Sequence, residues 1–234
     1  GTLFERDPNA YDNPVTHQVN SVMMGDIVQT GSDSADLTFS VISPSPIDRI
    51  EVRNGTEVIK TLRPYKPEDL GSRIRVIWSG AEYRGRGRQT NWIGRARFEG
   101  CEINDIAKIN AWNPERMLEK RGGYTVEWNA MTTGNFGGFD AWIDEADDGV
   151  LDIACNHGTL RVPLKDIGID HNVLDAGGLE RKISVYRLPE SNPHREMEAT
   201  VSIPLKDKGD NPLWISVYNE DGFQAWSSPV FAFK

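Results

Sequence analysis

The chain has 234 residues, of which 38% are hydrophobic, 9% aromatic and 26% charged, with a formal charge of -9 and two cysteines. This is enough apolar mass for one large domain or two small ones, and it excludes a disordered chain, a collagen and a coiled coil. No run approaches the ~18 apolar residues of a membrane helix, two cysteines cannot staple a disulfide-dense mini-fold, and the acidic balance argues against a nucleic-acid partner.

The first twenty residues are polar, carry Pro8 and Pro14, and read as an extended lead-in. The chain begins at Gly1 rather than Met and shows no charged-then-apolar leader, as a trimmed or processed chain would. Periplasm, extracellular space and cytoplasm therefore all stay open.

From there the pattern is one of short strands. Asp36–Ser43 alternates Leu37, Phe39 and Val41 against polar residues. Ile47–Arg53 follows, then Asn54-Gly55 and the run Thr56–Leu62. Asn-Gly between apolar runs predicts a hairpin with a type I′ turn. Asn54-Gly55-Thr56 is also a glycosylation sequon. Arg73–Ser79, Asn91–Glu99 and Tyr124–Met131 alternate similarly, and Phe139–Asp144, Val150–Cys155 and Thr159–Pro163 resemble a meander. Lys182–Leu188, Glu198–Leu205, Leu213–Tyr218 and Val230–Phe233 complete the set. A spacing of roughly 8–15 residues suits all-β sandwiches. Helical periodicity is weak, with single turns expected at Pro64–Leu70, Pro114–Lys120 and Leu164–Gly168.

The expected fold is an all-β sandwich of immunoglobulin-like or jelly-roll type, with its first and last strands pairing around a central β insertion. Residues 21–70 and 190–234 would form the immunoglobulin-like unit, and 71–189 the inserted block.

Several constellations bear on chemistry. Arg73, Arg75, Arg84, Arg86, Arg88, Arg95 and Arg97 crowd one segment with Tyr83 and Trp92 among them and one acid, Glu82. Guanidinium forks and aromatic faces suit phosphate or sugar-phosphate ligands, but such arginines also form ion pairs with a chain's own carboxylates. The acidic run Asp140–Asp152 lacks the EF-hand pattern, with Ala146 at a ligand position and Cys155 where the terminal Glu belongs. It reads as a turn at Asp147-Asp148-Gly149. His17, His157, His171 and His194 are scattered without zinc-ligand spacing, and no nucleophile elbow or phosphate loop occurs. No catalytic residue, metal ligand or cofactor is assigned. Cys101 and Cys155 are either bridged or two buried thiols. Trp78, Trp128, Trp142 and Trp214 fall in strand alternation and are assigned to the core, whereas Trp92, Trp112 and Trp226 stay open as stacking faces.

Ile74–Gly80 runs into Arg84-Gly85-Arg86-Gly87-Arg88 and Trp92-Ile93-Gly94. Asn113-Pro114-Glu115, Asp175-Ala176-Gly177-Gly178-Leu179, Asp210-Asn211-Pro212-Leu213 and Asp221-Gly222-Phe223-Gln224-Ala225-Trp226-Ser227-Ser228-Pro229 follow. In combination these stretches resemble the C-terminal region of a mostly bacterial family, domain-of-unknown-function family 3604, from about Met24 onward. The N-terminal portion of that family resembles the PHP (polymerase and histidinol phosphatase) metal-dependent phosphoesterases, whose metal motifs do not occur in these residues. The resemblance implies a non-catalytic accessory β domain whose partner is its own N-terminal hydrolase-like domain. The alternative is a β-sandwich module for carbohydrate or an anionic small molecule, using Arg84, Arg86, Arg88, Trp92 and Trp112.

Overall fold

The computed structural model describes residues 15–19, 22–144 and 148–234, with backbone alone for 15–19. The lead-in before Val15 and the first residue of the expected turn at Asp147-Asp148-Gly149 lie outside the described residues. The chain divides into two compact units, Gly1–Pro64 with Asn192–Lys234, and Tyr65–Ser191.

The first unit begins with strands β1 (Val15–Val19), β2 (Val22–Met23), β3 (Ile27–Gln29), β4 (Ser34–Ile42), β5 (Ile47–Asn54) and β6 (Glu57–Leu62). The second holds β7 (Leu70–Ala81), β8 (Thr90–Glu99), β9 (Ile103–Ile109), β10 (Met117–Arg121), β11 (Thr125–Thr132), β12 (Phe136–Ile143), β13 (Val150–Cys155), β14 (Gly158–Pro163), β15 (Asn172–Asp175) and β16 (Leu179–Pro189). The first unit resumes with β17 (Glu196–Pro204), β18 (Asn211–Asn219), β19 (Gln224–Trp226) and β20 (Val230–Phe233). The chain is all-β and built as sandwiches, as its alternation predicts.

In the first unit one sheet runs β17-β4-β1-β2 and the other β3-β20-β18-β5-β6, with β19 on β18. Early and late strands are therefore neighbours: β17 lies antiparallel to β4 and β18 to β5. Alternation dictates the packing. Leu37, Phe39 and Val41 of β4 point inward and meet Ile50, Val52 and Ile215 from the facing sheet. The Asn54-Gly55 hairpin forms one residue later than a type I′ turn would place it. Gly55 and Thr56 are the loop, and only Gly55 takes positive φ, 62°, as in turns with glycine at the first central position. Asn54 stays in the strand, buried, and its Nδ2 donates to Asn211 Oδ1 at 2.9 Å. The folded chain thus offers no accessible amide at the sequon.

In the second unit the sheet β10-β11-β8-β13-β14 faces β15-β16-β7-β12-β9. Its core centres on Trp78 and Trp128, stacked with ring centroids 5.1 Å apart, with Phe139 tilted against both. Residues 67–69 and 164–166 form single 3-10 turns, as expected. The third expected turn is corrected in its extent: it closes over Pro114–Arg116, where Arg116 N donates to Asn113 O at 3.0 Å, and Met117–Arg121 is a strand, because it pairs along β11 and buries Leu118.

The tryptophan assignment is corrected in three places. Trp142 and Trp214 sit opposite the core faces of their strands and are half-buried, because the inward positions belong to Ala141 and Ile143 and to Leu213 and Ile215. Trp214 Nε1 instead donates to Gly55 O at 2.8 Å. Trp92, held open as a ligand face, is fully buried.

Cys101 and Cys155 are both free. Burial is the main cause raising the Cys101 thiol above its usual pKa; Asp144 adds to this and Arg187 opposes it. Since the thiolate is the reactive form, Cys101 is expected to resist iodoacetamide at neutral pH in the folded protein and to react once the chain unfolds. Mass spectrometry of a labelling time course checks this; rapid native labelling of Cys101 would contradict it.

Candidate functional site

Strand register brings four loops of the second unit to one end. Ala81 pairs with Leu179, Ser79 with Phe136, Gly138 with Ile109, and Thr132 with Thr90. The connections 82–89, 110–116, 133–135 and 176–178 therefore all leave the sandwich on the same side. At about 4.8 Å per strand, the roots of 82–89 on β7 and 110–116 on β9 are two strand spacings apart, with β12 between them.

The basic segment splits by location. Arg73 and Arg75 are buried on β7 and both grip Asp140 of β12, itself 1% exposed. Arg75 donates to the two carboxylate oxygens at 2.6 and 2.8 Å, and Arg73 Nε to one of them at 3.0 Å. The Arg73 guanidinium also lies over the Trp142 ring. Arg95 and Arg97 stand exposed on β8, across from Glu127 and Asp152 on the flanking strands. Arg84, Arg86 and Arg88 lie exposed in the 82–89 loop, and no described carboxylate comes within salt-bridge distance of them. Glu82, the one acid in that loop, pairs with Arg181 at 3.1 Å.

The loop has internal order. Gly85 takes φ 100°, a conformation open to glycine, and its carbonyl accepts from Arg88 N at 3.3 Å. A Cβ on Gly87 would lie 2.5 Å from Tyr83 Oη, so the phenol lies across the chain there. A Cβ on Gly134 would lie 3.6 Å from Arg88 Cδ, which places Arg88 beside the 133–135 loop. On the far side Asn110 Nδ2 donates to Phe136 O at 3.0 Å, and Asn113 Oδ1 accepts from Glu115 N at 2.9 Å. Between these two bonds Trp112 stands 73% exposed. Arg116 turns toward β11, donating to Asn129 Oδ1 at 3.2 Å.

Arg84, Arg86, Arg88 and Trp112 thus share one end of the unit, while Trp92 lies beneath it. The Trp92 Nε1 donates to Thr132 Oγ1 at 2.9 Å, and its ring meets His157 edge-on at 4.8 Å. His157 Nε2 donates to Asn91 O at 2.8 Å, so the Cys155–His157 pair belongs to a hairpin turn. Among the described residues no group of three or more His, Cys, Asp or Glu is disposed to hold a metal ion.

A second surface escaped sequence reasoning. On the β3-β20-β18-β5 sheet of the first unit, Leu213, Ile215, Val217, Val230 and Ala232 fill the core. The alternate positions therefore form the opposite face. Register sets Ile27 beside Phe231, Phe231 beside Pro212, and Trp226 beside Ser216. Ile27 is 72%, Trp226 60% and Phe233 37% exposed. The signal was present in the period-2 alternation of Pro212, Trp214 and Ser216, but its direction depends on which set faces inward.

The same face carries Glu51 between Arg49 and Arg53. Burial acts to raise the Glu51 pKa, but the two guanidiniums outweigh it and hold the carboxyl below its usual 4.5. A depressed folded pKa stabilises the fold above the unfolded value, and that contribution is lost as pH falls through the folded one. Below pH 4.5 the wild type should therefore lose stability more steeply than Glu51→Gln, as urea melts across pH 6 to 3 would show. Parallel pH profiles would contradict this.

No helix among the described residues is long and apolar enough to cross a membrane. Comparisons with protein-family models, with curated proteins and with solved structures find no match for this chain.

Proposed function

We propose that this chain is a non-catalytic accessory β-sandwich region that serves a metal-dependent, PHP-like hydrolase domain by packing against it. The single observation that supports this reading is the apolar outer face of the first unit's sheet, formed by Ile27, Phe231, Phe233, Pro212, Trp214 and Trp226. Exposed contiguous apolar faces on soluble domains mark interaction sites, and exposed tryptophan is typical of residues that dominate such contacts. The buried carboxylates agree with a structural role. Asp140 and Glu51 are each held by two guanidiniums, an arrangement that fixes a carboxylate rather than freeing it for proton transfer.

The test is association of this chain with a separately prepared N-terminal portion of the full-length protein, followed by calorimetry. Trp226→Asp and Ile27→Asp are expected to weaken association at least tenfold with unchanged melting temperature. Undiminished association in both variants would overturn this use of the face.

A further inference from the structure

We infer that the 82–89 loop of the second unit is a site of limited proteolysis by arginine-specific endopeptidases, cut after Arg84, Arg86 or Arg88 while the chain stays folded. This goes beyond the accessory reading and does not depend on it, since it concerns the other unit and is tested on this chain alone.

Access is the first ground. A protease draws several residues on each side of the cut into its cleft as an extended strand. Every residue from Glu82 to Gln89 is exposed, between buried Ala81 and buried Thr90. No strand or helix interrupts them. The backbone bond that orders the loop, Arg88 N to Gly85 O, is long at 3.3 Å, so the loop opens at little cost. Nicking concentrates at exposed loops of this kind.

Recognition is the second ground. Proteases that cut after arginine hold a carboxylate at the base of the pocket that receives it, and a guanidinium fork pairs with that carboxylate. No described carboxylate lies within salt-bridge distance of Arg84, Arg86 or Arg88, and Glu82 is held by Arg181 at 3.1 Å. Each guanidinium can therefore enter such a pocket without breaking an ion pair. The residues that follow the three arginines are Gly85, Gly87 and Gln89, none of them proline. The Arg86–Gly87 bond has neither an acid nor a proline within three residues on either side. Water adds across it: the amide C–N bond breaks, the Arg86 carbonyl carbon takes the hydroxyl, and the Gly87 nitrogen takes the proton as a new amine terminus.

Other described arginines fail one condition or the other. Most lie within strands β5, β7, β8, β10, β14 and β16. Arg121 closes a tight hairpin, where extension would break its pairing with Thr125. Arg63 is followed by Pro64. Arg116 is half-buried and bonded to Asn129. The Arg195 carbonyl accepts from Ser43 N at 2.8 Å, and Glu196 follows it.

Topology is the third ground. The loop joins β7 of one sheet to β8 of the facing sheet, so it carries no ladder bonds. After a cut, β7 keeps β12 and β16, and β8 keeps β11 and β13. The β7–β12 ladder then holds the two pieces together in the second unit, and the β4–β17 and β5–β18 ladders do so in the first.

The experiment treats the 234-residue chain with clostripain, an arginine-specific endopeptidase, at a low enzyme ratio. Mass spectrometry follows the pieces with time. The first cut within residues 22–234 is expected after Arg84, Arg86 or Arg88. The two pieces should elute together on size exclusion and melt within a few degrees of the intact chain. The triple variant Arg84→Gln, Arg86→Gln, Arg88→Gln should slow that first cut at least tenfold, and Arg121→Gln should leave it unchanged. All four positions are exposed, and an unchanged melting temperature shows that the variants fold. A first cut at another described arginine, undiminished cutting of the triple variant, or separation of the nicked pieces would each overturn the inference. So would resistance of the folded chain under conditions that cut the urea-unfolded chain.

Discussion

Asp140→Ala is expected to destabilise the second unit by about 3–5 kcal/mol, the range for removing one partner of a buried charge cluster. The reason is geometric. Asp140 lies in the middle of β12, between β7 and β9, and its two oxygens receive both Arg73 and Arg75. Arg75 is 2% and Arg73 7% exposed. Without the carboxylate, both guanidiniums lose a charged partner that helps to compensate their burial, and water cannot reach them fully. Asp140→Asn should cost less, because the amide oxygen still accepts. The triple change Asp140→Leu, Arg73→Met, Arg75→Met should recover much of the loss, since apolar groups of similar volume often replace buried ion clusters without penalty. Urea denaturation of the four proteins checks this. A change below about 1 kcal/mol for Asp140→Ala, the scale of an exposed pair, would show that the cluster is solvated.

Trp128→Ala is the second large effect, at about 3–5 kcal/mol for truncating a large buried aromatic. Trp128 is fully buried, stacks on Trp78 and touches Phe139. Gly94 exists to seat it: a Cβ there would lie 2.7 Å from the indole Cζ2. Trp128→Phe should be far milder. The Trp128 Nε1 is buried with no hydrogen-bond partner among the described residues, so phenylalanine removes an unsatisfied donor while keeping most of the apolar volume. Thermal melts distinguish the two contributions. Equal losses in both variants would mean that the full indole area stacked on Trp78, which phenylalanine also gives up, carries the stability.

Legibility in the sequence followed locality. The β4 pattern Leu37, Phe39, Val41 could be read because alternation is complete within one strand. So could the hairpin at Gly55, although its exact position depended on Asn54 being drawn inward by Asn211, a residue 157 positions away. The pairing of β4 with β17 and of β5 with β18 was legible as a strand signature at both ends of the chain. What failed was facing. Trp142 and Trp214 alternate as cleanly as core residues, yet register turns them outward, and a one-residue difference moves a side chain to the other face of a sheet. Trp92 is the converse, an aromatic beside an arginine-rich loop that proves to be core. Asp140 read as part of an acidic run because its partners, 65 and 67 residues earlier, are brought opposite only by the β7–β12 ladder. At the loop end, residue types were legible, but the separation of Arg73 and Arg75 from Arg84, Arg86 and Arg88 required knowing which segment is strand and which is loop.

The most direct test of the accessory reading is a paired hydrolysis assay. The full-length protein and this chain alone are given Mn²⁺ or Zn²⁺ and a panel of phosphoesters. The account predicts turnover by the full-length protein and none by this chain. Turnover by this chain alone would contradict it.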